Sequence, residues 1–199
     1  MKRTIILLSV IILTSSLYSQ WSTQGDKLKT KWAESIDVNN VLPEYPRPIM
    51  ERPDWKNLNG LWDYAILPIG QNEPANFDGK ILVPFAVESS LSGVMKTLGS
   101  KNELWYKQTF TIPSGWKNKN ILLHFGAVDW KAEVFLNDVK IGTHTGGYTP
   151  FCFDITSYLK SGSQKLVVKV WDGTDEGYQP RGKQVRNPEG IWYTPVSGI

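Results

Sequence analysis

A single cysteine, Cys152, leaves no partner for an intramolecular disulfide, so packing and hydrogen bonds alone have to hold this chain together. Histidine is almost as scarce: with only His124 and His144 beside that cysteine, a metal site is poorly supplied and none is expected. Both histidines fall in expected strands, where a structural role is the simpler reading. Cys152, within Thr149-Pro-Phe-Cys-Phe153, is expected to be a small buried hydrophobe, as free cysteines usually are. No window of helical length carries an apolar stripe of period 3.6, which excludes long amphipathic helices. A Gly-rich phosphate loop between strand and helix, a Gly-x-Ser-x-Gly elbow and a His-Glu-x-x-His pair are all missing, so nucleotide, α/β-hydrolase and zincin chemistry lack support and no cofactor is expected.

Long apolar runs are also missing, with one exception. Lys2 and Arg3 precede an apolar run over residues 5–13, followed by small or polar residues through Ser19, and this is the pattern of an export signal. The run is too short for a membrane helix, which needs about 20 residues, so no membrane partner is expected. Cleavage near Ser19–Gln20 is expected to release a periplasmic or extracellular protein. Of the 22 Lys and Arg residues, Lys2 and Arg3 leave with the signal, so 20 cations face 19 acids and the net charge becomes +1. That balance argues against nucleic acid or an acidic membrane surface as partner.

What the chain has in quantity is short alternating strands. Residues 20–50 read as an irregular, extended leader lying on the domain surface, with Pro43, Pro46 and Pro48 opposing helix. From Leu58 onward, strands are expected over residues 61–67, 80–83 (stopped by Pro84), 104–112, 121–125, 132–136, 139–141 and 166–171, each bounded by Gly, Pro or Asn. Along 104–112, Leu104, Tyr106, Phe110 and Ile112 share one face and Lys107, Thr109 and Thr111 the other, which predicts a buried face and a wet one. Asn137-Asp138 sits between two such strands, and both residues tolerate the positive φ of a tight hairpin turn. The domain is therefore expected to be nearly all β.

Nine tryptophans and eight tyrosines are a heavy aromatic load. Trp62, Tyr106 and Phe125 alternate within strands and are expected in the core, where aromatic rings bury much area. Trp130, Tyr148, Trp171, Tyr178, Trp192 and Tyr193 fall at strand ends or in loops and suit either a surface position or a ligand, because flat rings stack on the apolar faces of pyranoses. Glu88, Asp129, Asp172, Asp175 and Glu176 lie in expected loops, but their spacing does not mark a catalytic carboxylate pair of the kind glycosidases use. No catalytic residue is assigned.

Several segments, read in order, resemble the N-terminal domain of family 2 glycoside hydrolases, the family of β-galactosidase, β-glucuronidase and β-mannosidase. They are Arg52-Pro-Asp-Trp-Lys-Asn-Leu-Asn-Gly-Leu-Trp62, Val83-Pro-Phe-Ala-Val-Glu-Ser-Ser-Leu-Ser-Gly93, Leu104-Trp-Tyr-Lys-Gln-Thr-Phe110, Leu123-His-Phe-Gly-Ala-Val-Asp-Trp130, Val134-Phe-Leu-Asn137 with Ile141-Gly-Thr-His-Thr-Gly-Gly-Tyr-Thr-Pro-Phe151, and Phe153-Asp-Ile-Thr156 with Leu166-Val-Val-Lys-Val170. The resemblance covers about residues 45–199. It implies an all-β, galactose-binding-domain-like jelly-roll β-sandwich over residues 51–199, standing beside an immunoglobulin-like domain and a TIM barrel that would carry the catalytic glutamates. A barrel typically takes about 250 residues, so the chain is expected to stop before it and to be inactive alone.

For the sugar site, Trp171-Asp-Gly173 resembles, with one residue fewer, the Trp-Ser-Asp-Gly loop whose Asp contacts substrate in the family's β-galactosidases. This implies Asp172 as first candidate and Asp175 as second. Glu88-Ser89 stands where those enzymes carry a Glu-Asn pair, and Trp192 belongs to the closing motif, so Glu88 and Trp192 complete the candidate substrate-binding set. The loop holding Arg181, Lys183 and Arg186 either lines an acidic-sugar pocket or packs as a solvated loop on the barrel. Three functions compete: an accessory domain of a glycosidase whose partners are a carbohydrate substrate and the downstream catalytic domains, a free-standing carbohydrate-binding or lectin-like module, and a purely structural domain with an exposed apolar patch.

Overall fold

The computed structural model describes residues 21–26 and 28–199; the expected signal peptide, residues 1–19, lies outside them. Eight strands run in chain order: β1 (Gly60–Pro68), β2 (Gly79–Val83), β3 (Asn102–Thr111), β4 (Leu122–Phe125), β5 (Lys131–Leu136), β6 (Val139–Thr145), β7 (Phe151–Asp154) and β8 (Ser163–Trp171). Six of them form an antiparallel sheet in the order β2-β1-β3-β8-β5-β6, and β4 pairs with β7 in a second, two-stranded layer. Only short 3-10 turns interrupt the β structure among the described residues. The fold is the all-β jelly-roll sandwich that the sequence implies.

The core lies between the layers. Trp62 and Tyr64 of β1, Leu104, Tyr106 and Phe110 of β3, Val134 and Leu136 of β5 and Leu166, Val168 and Val170 of β8 point inward to meet Leu123 and Phe125 of β4. Trp62, Tyr106 and Phe125 are thus core residues, and Trp62 and Tyr106 meet edge to face with centroids 6.3 Å apart. Gly142 of β6 shows why the layers fit: a Cβ there would run into the ring of Phe153 of β7, so a side chain at this position would push the sheets apart. The turn at Asn137-Asp138 has φ of 51° and 71°, as the hairpin requires. Asn137 also donates to Tyr158 O at 2.9 Å and Gln164 Oε1 at 2.8 Å, and accepts from Lys165 N at 3.0 Å.

Three expectations need correction. The second face of β3 is not uniformly wet: Glu103 and Trp105 are buried there, and Trp105 forms a small outer cluster with Ala65 and Val167, flanked by Leu67, Phe77 and Phe135. Its cover comes partly from lysine stems, with Lys107 Nζ 4.0 Å from the Phe77 ring centroid and Lys169 Nζ 5.5 Å from that of Trp105. Only toward the other end, at Thr109 and Thr111, is that face exposed. Cys152 is exposed rather than buried, because β7 is an edge strand that turns Phe151 and Phe153 toward the core and Cys152 away from it. β7 itself, four residues long, was not among the expected strands.

The leader follows the sandwich surface. Val41 is buried, and its carbonyl accepts from the side-chain amides of Asn57 and Asn59, both at 3.3 Å. Gln24 N–H donates to Ser90 O at 3.0 Å, tying residues near the start of the described chain to the loop after β2.

Candidate functional site

Alternation decides what gathers at one end of the six-stranded sheet. Along β8, Val170 faces the core and Trp171 the outer surface, so the next residue, Asp172, returns to the inside and is only 2% exposed. On the neighbouring strand Asp129, just before β5, is 8% exposed and followed by the half-buried Trp130. Glu88 comes from the loop that leaves β2. The Val83–Pro84 and Asp129–Trp130 peptides are both cis.

These three carboxylates surround the segment 196–199, each of whose four amides has a protein acceptor. Val196 N–H donates to Gln184 Oε1 at 2.7 Å, Ser197 N–H to Glu88 Oε2 at 2.9 Å, Gly198 N–H to Asp129 O at 2.9 Å and Ile199 N–H to Tyr106 Oη at 3.3 Å. Asp129 N–H returns a bond to Gly198 O at 2.9 Å. Ser197 is the junction: while its amide serves Glu88, its hydroxyl donates to Asp172 Oδ2 at 2.8 Å. Asp172 also accepts from Thr174 N at 2.7 Å and from Thr174 Oγ1 at 3.2 Å. Gln184 Nε2 reaches both Asp129 Oδ2 at 3.0 Å and Tyr148 Oη at 3.2 Å. Gly198 has φ of +102° and lies where a Cβ would strike the Tyr106 hydroxyl, so glycine is required.

In this poorly solvated corner the Asp129 carboxyl meets both burial and the charge of two neighbouring acids. Burial, with the nearby charges of Asp172 and Glu88, pushes the Asp129 carboxyl up to about 6, even though the Gln184 bond favours its anion. Burial also raises Glu88, against the bonds from Ser197, and its Oε1 is buried with no hydrogen-bond partner. The Tyr106 hydroxyl is raised, mainly by burial.

The structure brings Glu88 and Asp172 together but separates Asp175 from them. Burial alone would raise the Asp175 carboxyl, but Arg186 outweighs it and holds Asp175 below the usual range, with Nε 2.6 Å from Oδ1 and its amide 3.2 Å from Oδ2. Arg186 Nη1 lies a further 2.6 Å from Glu176 Oε1. Asp175 and Arg186 therefore brace the loop after Asp172. Trp192, 42% exposed, lies on the ribbon formed by residues 183–193, where Arg181 sits 5.7 Å from its ring centroid. With Tyr148, Tyr178 and Tyr193, all well exposed, it gives this end of the sandwich an aromatic margin.

Sequence reasoning had Asp129 only as one loop acid among several, and it missed Gln184 and Ser197. For Asp129 the signal was present in Gly-Ala-Val-Asp-Trp130. For Gln184 and Ser197 no local pattern exists. Among the described residues, no three His, Cys, Asp or Glu side chains converge to hold a metal ion.

Comparison with known proteins agrees with this architecture. A sequence profile described as glycosyl hydrolases family 2, sugar binding domain, matches residues 83–193. A β-glucuronidase of Paenibacillus borealis is 25% identical over 158 residues, an alignment that takes in 73% of this chain and 26% of that protein. A β-galactosidase of Thermoanaerobacter pseudethanolicus is 32% identical over 119 residues, 57% of this chain and 16% of that one. The solved structure of a Lactobacillus rhamnosus β-glucuronidase superposes with a TM-score of 0.51 at 30% identity, over 59% of this chain and 21% of that one. The chain thus spans about a quarter or less of these relatives' lengths. The profile covers more than half of the sequence and the fold agrees with it, so the chain belongs to glycosyl hydrolases family 2 and carries that family's sugar-binding domain.

Proposed function

We propose that this chain is the N-terminal, sugar-binding part of an exported family 2 glycosidase that acts on β-glucuronides, and that Asp172 and Glu88 are its contribution to the sugar pocket. The observation that carries the reading is the junction at Ser197, which holds both carboxylates in fixed positions at one end of the sandwich. Asp172 is 2% exposed and Glu88 Oε1 is buried, so their place in the sugar pocket is supported by the resemblance of Trp171-Asp-Gly173 and Glu88-Ser89 to substrate-contacting loops of the family. Trp192 adds an exposed ring on the same margin, and Asp175 braces the loop. The β-glucuronidases among the relatives support the glycone, and the N-terminal pattern over residues 1–19 supports export.

Hydrolysis belongs, in this reading, to the barrel that the family resemblance implies. Glycoside cleavage generally needs a carboxylate pair free to exchange protons with substrate and water, whereas Asp172, Glu88 and Asp129 are engaged with residues 184 and 196–199. The test is turnover of p-nitrophenyl β-D-glucuronide. Purified residues 20–199 are expected to release no nitrophenol, while the enzyme that includes the barrel releases it and shows a raised KM in an Asp172→Asn variant. Turnover by residues 20–199 alone would overturn the division of labour. N-terminal sequencing of the secreted product is expected to start near Gln20, and an intact Met1 would refute export.

A further inference from the structure

Opposite the acid cluster, on the outer surface of the same sheet end, lies a pocket of about 360 Å³, within the usual range for small-ligand sites. Trp130 and Trp171 form two of its walls, their rings 6.2 Å apart and inclined at 81°. Ile69 closes a third side. The floor comes from outward residues of β3, β5 and β8: Glu103, Glu133 and Lys169. These are pre-arranged, since Lys169 Nζ lies 3.3 Å from Glu103 Oε1 and 3.1 Å from Glu133 Oε2. Glu103, only 8% exposed, also accepts from Gly70 N–H at 3.2 Å. Trp171 is fixed by its indole N–H, which donates to Ser100 O at 2.8 Å.

We propose that this pocket is a carbohydrate site separate from the acid cluster, taking one neutral pyranoside unit against the Trp130 and Trp171 rings. A pyranose presents an apolar C–H face and a rim of hydroxyls; two mutually inclined indoles over a floor of carboxylates and an ammonium present the complement of both. Neutrality of the ligand follows from the lining, in which Lys131 and Lys169 balance Glu103 and Glu133, leaving no net charge to select an ion. The separation follows from alternation: Asp129 and Asp172 turn inward, while their sequence neighbours Trp130 and Trp171 turn outward. The proposal does not rest on the glucuronidase reading, because it concerns other side chains and a ligand of different charge.

The test is to follow the tryptophan indole N–H resonances of the purified protein while titrating methyl β-D-glucopyranoside, cellobiose and glucuronate. Saturable shifts of the Trp130 and Trp171 signals with the two neutral sugars are expected, at a dissociation constant on the order of 1 mM, unaffected by added salt. Trp130→Ala should weaken binding at least roughly tenfold, Trp130→Phe should retain it, and Trp32→Ala, in the leader, should leave it unchanged. If Trp130→Ala fails to fold, the titration of the unsubstituted protein and of Trp130→Phe decides. Absence of shifts at both indoles, shifts confined to other tryptophans, or a salt-sensitive preference for glucuronate would each overturn the proposal.

Discussion

Asp129→Asn is expected to stabilise the domain at neutral pH and to flatten its pH dependence. The folded Asp129 carboxyl titrates at about 6, against an ordinary 3.8. Because the native state holds this proton more tightly than the unfolded chain does, its contribution to stability is fully present below pH 3.8 and is lost as pH rises through 6. At 1.36 kcal/mol per pKa unit the whole effect is about 3 kcal/mol, of which about 1.4 kcal/mol falls between pH 5 and pH 8. Glu88, raised by burial, acts in the same direction, while His124, lowered chiefly by its own burial and then by Arg52 and Arg47, acts in the opposite one. Comparing urea unfolding of the unsubstituted protein and of Asp129→Asn at both pH values removes the His124 contribution, which the two share. Asparagine retains an acceptor for Gln184 Nε2, so the bond at 3.0 Å can persist. The variant should gain about 1–3 kcal/mol at pH 8 and lose most of the slope between pH 5 and pH 8. A variant that is less stable at pH 8, or that keeps the full slope, would refute the argument that burial, with the charges of Asp172 and Glu88, opposes ionisation of Asp129 in this corner.

Ser197→Ala removes the hydroxyl that donates to Asp172 and should cost about 1.5–3 kcal/mol, the usual range for a bond to a charged group, read as a lower urea midpoint with unchanged m. Asn137→Ala loses three hydrogen bonds at a position with φ of 51° and should cost at least about 2 kcal/mol in the same assay. Because Cys152 is exposed, Ellman's reagent should label one thiol per chain without denaturant; labelling that requires unfolding would show β7 facing the other way.

The elements read most reliably from sequence were those whose determinants lie close together along the chain. Trp62 and Tyr64 alternate within β1, and Asn137-Asp138 carries its turn geometry in two adjacent residues. β7 went unread because four residues, two facing out, give too little period to detect. The outer cluster went unread for a different reason. Trp105 sits between Leu104 and Tyr106 in an unbroken apolar run, and which face is core depends on the partner strands, which set Ala65 opposite it and Val167 in the same cluster. The candidate site was half legible. Asp172 and Glu88 stood out by resemblance, but the residue that joins them, Ser197, is 109 positions from Glu88, and no local pattern encodes such a contact.

The arrangement at this sheet end follows from a period of two. Asp129 and Trp130 are adjacent in sequence, as are Trp171 and Asp172, and the two pairs lie on neighbouring strands. Strand geometry sends consecutive side chains to opposite faces, so the two acids meet on the inner side and the two indoles on the outer. A one-residue slip of β5 against β8, which pair Lys131 with Trp171 and Ala132 with Val170, would turn over the β5 side alone, because β8 is also held in register by β3. Asp129 would then face the outer pocket beside Glu103 and Glu133, and Trp130 the acid corner, leaving Gln184 Nε2 without its carboxylate partner. The register is consequently held by both surfaces at once, and a substitution that weakens one of them should loosen the geometry of the other.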